Sequence, residues 1–287
     1  MLVSENWKEY ELIDTGSGEK LERWGGFVLR RPDPQIIWPL TEETEAWRRA
    51  NARYHRSTTG GGEWDTKVKL PERWSIGYKE LKFYIKPTSF KHTGLFPEQA
   101  ANWDWMMDKI RQAKRPIRVL NLFAYTGGAT LACAAAGAEV VHVDAAKGMV
   151  QWAKENATLS GLGEHPVRYI TDDVFKFVAR EERRGSKYDA IIMDPPSYGR
   201  GPNGEMWKLE TDLYRFVASC SAILSDNPLF FLINSYTTGI SATVLTNVLS
   251  LAISQQHGGK LMSDEIGLPI TASGLCLPCG ILGRWEA

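Results

Sequence analysis

From about residue 116 the chain alternates between short apolar runs and longer stretches of helical spacing. The apolar runs are IRVLNLF (117–123), EVVHVD (139–144), VRYITD (167–172), YDAIIMD (188–194) and LFFLINSY (229–236). Between them lie ATLACAAAGA, KGMVQWAKENATLSG, VFKFVAREERR and LYRFVASCSAIL, helical in period or composition, and SATVLTNVLSLAIS follows the fifth run. Short apolar runs separated by helical stretches predict a parallel, doubly wound sheet. The tail, LMSDEIGLPI…GLCLPCGILGRWEA, carries two strand-like runs with no helix between them. It predicts an antiparallel hairpin at the C-terminal edge of that sheet.

The first 70 residues or so follow a different pattern. Segments such as KLERWGGFVLRRPDPQIIW mix aromatic and β-branched residues with Gly and Pro turns, which predicts short strands. TEETEAWRRANARYH (41–55) reads as a polar helix with Thr41 as a candidate N-cap. STTGGGEW (57–64) reads as a loop, and WSIGYKELKFYIKP (74–87) as a strand pair. The expected organisation is a small β-rich domain over 1–72, a connecting segment over 73–115 and a catalytic domain over 116–287.

Composition narrows the class without changing this outline. The chain has 287 residues, 43% hydrophobic and 24% charged, with 34 basic against 34 acidic side chains. No apolar stretch reaches the length of a membrane span, and the N-terminus has no basic n-region or apolar h-region. Four scattered cysteines make no disulfide framework, so a cytoplasmic location is expected. Resolved along the chain, the charge is uneven. Residues 47–91 hold 11 basic against 4 acidic residues, interleaved with aromatics. That composition suits an RNA-binding groove, and equally a solvated face.

In an open α/β sheet, ligands bind beyond the carboxyl ends of the strands. The first run is followed by AYTGGAT (124–130), where Gly127 and Gly128 permit a sharp turn. The second ends at Asp144, roughly 20 residues on from that turn, where a carboxylate takes ribose hydroxyls. The third is followed by Asp172, Asp173 and Val174, and the fourth by Asp194-Pro195-Pro196-Ser197-Tyr198. A dinucleotide fingerprint would need glycine where Phe123 and Tyr125 stand, and no P-loop lysine follows. The loop therefore suits a nucleoside ligand without phosphates, and S-adenosylmethionine fits. Each carboxylate also has a plainer reading, as the cap of the next helix.

Taken together, NLFAYTGG, Asp144, the TDDVF stretch, DPPSYGRGP and HTGLFPEQAANW (92–103) resemble the class I S-adenosylmethionine-dependent methyltransferases. Among these, they are similar to the bacterial large-subunit ribosomal RNA enzymes that modify cytosine C5 or guanine N7. The resemblance implies a Rossmann-like, mostly parallel sheet with a C-terminal antiparallel hairpin, S-adenosylmethionine as cofactor, S-adenosylhomocysteine as product and no metal. It implies that Asn121, Phe123, Ala124, Tyr125, Thr126 and Gly127 line the methionine part. Asp144, with Ala145 beside it, would bind the ribose. Asp172, Asp173 and Val174 would flank the adenine, and Phe96 and Gln99 would cover the cofactor. Asp194, Pro195, Pro196 and Tyr198 would face the methyl acceptor. The fuller relatives carry an N-terminal RNA-binding domain that the first residues do not match.

Acceptor chemistry follows from what is missing at the strand ends. Methylation at pyrimidine C5 uses a cysteine nucleophile. DPPSYG and INSYTTG contain none, and Cys220 falls in a predicted helix. A base nitrogen needs no covalent step, so an RNA base nitrogen is the expected acceptor. A small molecule, a protein side chain, or a cofactor-binding scaffold without transfer are the alternatives. Cys276 and Cys279, a C-x-x-C on a strand, read as packed residues, because strand positions i and i+3 face opposite sides. Trp207 reads as a wall of the acceptor site, and His92 as part of a local turn. Monomer and homodimer are equally compatible with the sequence.

Overall fold

The computed structural model describes residues 1–57, 61–200, 206–237 and 239–287. Residues 58–60 of the expected glycine loop and Gly201–Pro202 of DPPSYGRGP lie outside them. The chain packs as two compact units. One comprises Val3–Ala100 and Gly267–Cys279, the other Met1–Leu2, Ala101–Ile266 and Gly280–Ala287. The first unit runs to residue 100 and also recruits a segment from the C-terminal hairpin.

A two-residue strand, β1 (Leu2–Val3), precedes a five-stranded sheet in the first unit. Its strands are β2 (Tyr10–Gly16), β3 (Glu19–Trp24) and β4 (Phe27–Pro32), then β5 (Ala52–Arg56) and β6 (Gly62–Thr66), in that spatial order. The expected helix over 41–55 is only α1 (Glu45–Arg48), with Thr44 and not Thr41 at its N-cap position. Tertiary contacts override the helical spacing. Trp47 is buried and donates from Nε1 to Asp14 at 2.7 Å, and Asn51 Oδ1 accepts from Val28 N at 2.7 Å. Ala52 and Arg53 then pair with β4 instead of continuing a helix. The strand pair at 74–87 forms as expected, as β7 (Trp74–Tyr78) and β8 (Leu81–Ile85).

A buried ionic cluster ties β2, β3 and β4. Glu22 is fully buried and accepts from Arg31 Nε at 2.6 Å, Arg31 Nη2 at 2.8 Å and Tyr10 Oη at 2.8 Å. Burial alone would raise its carboxyl pKa, but Arg31 and Lys20 overcome this and hold it at about 2. A 3-10 turn, Pro97–Gln99, leads out of this unit into α2 (Ala100–Ala113).

The second unit alternates as its pattern predicts. After α2 come β9 (Arg118–Leu122), α3 (Gly128–Ala135), β10 (Glu139–Asp144), α4 (Lys147–Leu159), β11 (Val167–Thr171) and α5 (Val174–Arg183). Then follow β12 (Ala190–Met193), the short strands β13 (Tyr198–Arg200) and β14 (Met206–Lys208), α6 (Leu209–Ser221) and β15 (Phe230–Ser235). Next are α7 (Ala242–Leu249), a π-helical turn Ser250–Ser254, α8 (Gln255–His257), and the hairpin strands β16 (Lys260–Pro269) and β17 (Cys276–Glu286). The main sheet runs β1-β16-β17-β15-β12-β9-β10-β11. Strands β15, β12, β9, β10 and β11 are parallel, and β17 runs antiparallel to β15.

This order places the switch of direction between β9 and its neighbour β12. Six consecutive residues of β15 are buried, as a strand covered on both faces requires. Pleating sends Leu120, Leu122, Val141, Val143, Ile191, Met193, Phe231 and Ile233 into one core with α5, α6 and α7. Asn121, His142 and Asn234 point to the opposite face.

Candidate active site at the carboxyl edge of the sheet

The loop after β9 has an unusual backbone. Phe123 (φ 53°), Tyr125 (φ 49°) and Gly127 (φ 89°) alternate in the left-handed region. For the two non-glycine residues this costs about 1 kcal/mol or more each, so the surroundings must hold it. Ala124 N donates to Val143 O at 3.1 Å, and Gly127 N to Ala124 O at 3.0 Å. Tyr125 N donates to Asp144 Oδ2 at 2.8 Å, and Asn156 Nδ2 to Thr126 O at 2.9 Å. A Cβ on Gly127 would lie 2.9 Å from Ala153 Cβ, and one on Gly128 would lie 2.7 Å from Trp103 Cζ2. The first glycine is thus needed for its φ and for the approach of α4, the second for the approach of Trp103.

Asp144 is not the cap of α4, whose N-cap is Ala146. Its carboxylate bridges two loops instead, accepting from Tyr125 N and, through Oδ1, from Ala146 N at 2.8 Å. Burial raises its pKa, and those two amide bonds oppose the rise. Each oxygen retains a second lone-pair direction for a ligand. Ala145 beside it is exposed.

Asp173, by contrast, is the N-cap of α5 and accepts from Lys176 N at 3.0 Å. Asp172 Oδ1 accepts from Asp173 N at 2.8 Å, and its other oxygen pairs with Arg180. Asn121 is buried and donates to Thr130 Oγ1 at 2.9 Å, which in turn meets His142 Nδ1 at 2.9 Å. Burial lowers the pKa of His142 to about 3, so the imidazole is neutral. Asn121 therefore supports the loop from beneath. Phe96 and Gln99 belong to the first unit, where Phe96 lies 5.5 Å from the His92 ring. Burial, with Arg31, Lys91 and Lys20, lowers the pKa of His92 to about 4.

After β12, Asp194 is half-buried, Pro195 buried, and Pro196, Ser197 and Tyr198 exposed. The Pro196 carbonyl accepts from Trp207 Nε1 at 2.5 Å. Trp207 is itself 4% exposed and packs among Phe123, Phe175 and Phe216, so it is a core residue and not a wall of the acceptor site. Ser197 Oγ meets Thr237 Oγ1 at 2.6 Å and joins the ends of β12 and β15. The Tyr198 hydroxyl donates to Met206 Sδ at 3.7 Å across the small hairpin.

A second cluster has no local signal in the sequence. Arg284 is 6% exposed, lies over the Trp105 ring at 4.4 Å, and donates to Asn102 Oδ1 from Nε at 3.2 Å and Nη2 at 2.6 Å. Asn102 Nδ2 donates to Asn234 Oδ1 at 2.9 Å. Cys133 and Cys220 are buried, and burial raises both thiol pKa values. Cys276 is exposed and not packed, because it sits at the start of β17. Among the described residues no group of three His, Cys, Asp or Glu side chains could hold a metal, and no helix is long and apolar enough to cross a membrane.

The pattern that defines the S-adenosylmethionine-dependent methyltransferases matches residues 38–240. The chain belongs to that family. Among solved structures, an S-adenosylmethionine-dependent methyltransferase from Agrobacterium tumefaciens is 38% identical, with a TM-score of 0.94. The match covers 99% of this chain and 92% of that one. A putative S-adenosylmethionine-dependent methyltransferase from Streptococcus mutans shares the fold at 18% identity, over 99% of this chain and 76% of that one, with a TM-score of 0.75. Among curated relatives, ribosomal RNA large subunit methyltransferase K of Neisseria meningitidis serogroup B is 25% identical over 83% of this chain and 66% of its own. Methyltransferase K/L of Magnetococcus marinus is 28% identical over 65% of this chain and 25% of its own. The chain thus spans less than two-thirds of the length of these relatives.

The family's cofactor is S-adenosylmethionine, and the residues at the strand ends fit it. The desolvated Asp144 carboxylate, held by two amides with lone pairs to spare, matches a ribose diol. The loop over 123–127 offers no basic side chain for a phosphate.

Proposed function

We propose that the chain methylates a nitrogen of a base in ribosomal RNA. The observation that carries this reading is the chemistry of the carboxyl edge. A stiff Asp194-Pro-Pro turn stands there, and no cysteine follows the parallel strands: Cys133 lies within α3, Cys220 within α6, and Cys276 and Cys279 on β17. A covalent route to a ring carbon lacks its nucleophile, whereas a nitrogen lone pair needs only placement and desolvation.

In this proposal Asp144 and Ala145 bind the ribose. Asp172, Asp173 and Val174 border the adenine, and the segment Asn121–Gly127, the end of β9 and the loop after it, takes the methionine part. When bound, the cofactor supplies an electrophilic methyl group. Asp194 accepts from an N–H of the acceptor and turns its lone pair toward that group. Pro195 and Pro196 fix the turn, and Tyr198 stacks on the base.

The names of the curated relatives support RNA as the substrate class. The basic segment 47–91, ten of whose eleven cations are exposed, is compatible with that substrate. A ribosomal RNA substrate places the enzyme in the cytoplasm. The test is transfer of labelled methyl to separated RNA and protein fractions, followed by digestion to nucleosides. An N-methylated nucleoside in ribosomal RNA is expected. Label confined to protein or to small molecules refutes the RNA reading, and label on a ring carbon refutes the nitrogen assignment.

A further inference from the structure

The Arg284–Asn102–Asn234 cluster fixes the polarity of one amide near the carboxyl end of β15. A guanidinium has five donors and no acceptor. Both of its contacts go to one atom of Asn102, so that atom is the carbonyl oxygen Oδ1. The other end of Asn102 is then the donor, and it meets Asn234 at 2.9 Å. The Asn234 atom it meets must therefore be the acceptor Oδ1, and the Asn234 NH2 is turned away from Asn102. Carboxamides are often ambiguous, but here a buried cation settles two of them in series. Arg284 also donates from Nη2 to Ala101 O at 3.2 Å, which anchors it to the start of α2.

The register sets Asn234 level with the Asp194 turn. The last paired position of β12 and β15 is Met193–Ile233. One residue beyond it the two chains carry Asp194 and Asn234. Phe231 and Ile233 enter the core with α6 and α7, so alternation leaves Asn234 on the opposite face, the face where Phe230 meets Trp105.

We propose that Asn234 is a specificity-determining residue that donates to the methyl acceptor beside Asp194, with Asn102 and Arg284 as its positioning residues. The proposed pair sets one donor, the Asn234 NH2, against one acceptor, the Asp194 carboxylate, on residues that stand level one position past the last β12–β15 pair. Its complement is a nucleobase edge with an acceptor beside an N–H, as where a ring nitrogen or carbonyl flanks an amino or imino group. This rests on the RNA reading above and adds which edge is held. A site built to hydrogen-bond such an edge rejects one of reversed polarity, because its buried polar groups would be left unpaired.

The test measures labelled methyl transfer to total RNA from a strain lacking this protein. It is run beside S-adenosylhomocysteine affinity by calorimetry and the melting temperature. Asn234→Ala should lower kcat/KM for RNA by about tenfold or more, with cofactor affinity unchanged. Asn102→Asp is the sharper variant. The new carboxylate still accepts from Arg284, so the melting temperature should hold or rise. It can no longer donate, so the Asn234 carboxamide turns round and presents its oxygen. Transfer should fall at least as far as in Asn234→Ala. Wild-type kcat/KM in either variant overturns the assignment. A melting temperature that falls together with kcat/KM in Asn102→Asp also overturns it, in favour of a purely structural cluster. If the wild-type protein transfers no methyl to RNA, the function reading fails, and this assignment fails with it.

Discussion

Replacing Asp144 with alanine is the most direct test of the cofactor site. The carboxylate is pushed toward its neutral form by burial and is held by two backbone amides, Tyr125 N and Ala146 N, each at 2.8 Å. Two ribose hydroxyls donating to it would make charge-assisted hydrogen bonds of about 1.5 kcal/mol each, or about 3 kcal/mol together. Losing both should weaken S-adenosylhomocysteine binding by roughly a hundredfold. Alanine also releases the Tyr125 amide, so the strained loop should loosen and the melting temperature should fall. Asparagine is no rescue. It has one acceptor end, so its NH2 must face either the Tyr125 or the Ala146 N–H. Calorimetry with S-adenosylhomocysteine, read beside a melting curve, separates the two effects. Because burial raises this carboxyl's pKa, affinity should weaken on acidification at a higher pH than an exposed aspartate would give. If Asp144→Ala binds within twofold of wild type, the ribose assignment is wrong.

Three further outcomes are expected. Glu22 is held at about 2 in the folded state against an ordinary 4.5. Its contribution, roughly 3 kcal/mol, is therefore present above pH 4.5 and lost as pH falls toward 2. Denaturation midpoints across that range should show the loss in wild type and not in Glu22→Gln; an equally steep decline in the variant would count against the cluster. Gly128→Ala puts a methyl 2.7 Å from Trp103 Cζ2, and should cost about 1–3 kcal/mol by overpacking; an unchanged chemical denaturation midpoint contradicts this. Trp207→Phe keeps the aromatic packing but releases the Pro196 carbonyl. It should slow methyl transfer while leaving cofactor affinity intact, and normal turnover would show that the tether is dispensable.

The parallel sheet was legible because each of its strands is an apolar run bounded by turn residues. VRYITD and EVVHVD matched the observed strands to within a residue. The N-terminal region was harder. The stretch over 41–55 has helical spacing, but Trp47 and Asn51 are claimed by partners more than 20 residues away, and strand pairing takes over at Ala52. Asp144 and the Asp194 turn could be singled out in the sequence because each stands at the end of an apolar run, and the structure has β10 and β12 end there. Trp207 was misread because its inward face depends on pairing within a hairpin, which local spacing does not encode. Asn102, Asn234 and Arg284 had no signal at all. They are far apart in sequence, and each is an ordinary residue until the sheet brings them together.

The position of β17 has a consequence for how the protein is made. It sits inside the sheet, between β15 and β16, and carries the fully buried Trp285. During synthesis β15 emerges well before its antiparallel neighbour. Until Ile281–Glu286 arrives, the backbone of Phe230–Ser235 faces water along one edge, with no partner on that side. An apolar strand with an open edge is a template for pairing with another chain. A nascent polypeptide halted in the β16–β17 turn would therefore be aggregation-prone although every expected ligand-binding loop had already been synthesised, and completion of the hairpin is the step that makes the sheet safe.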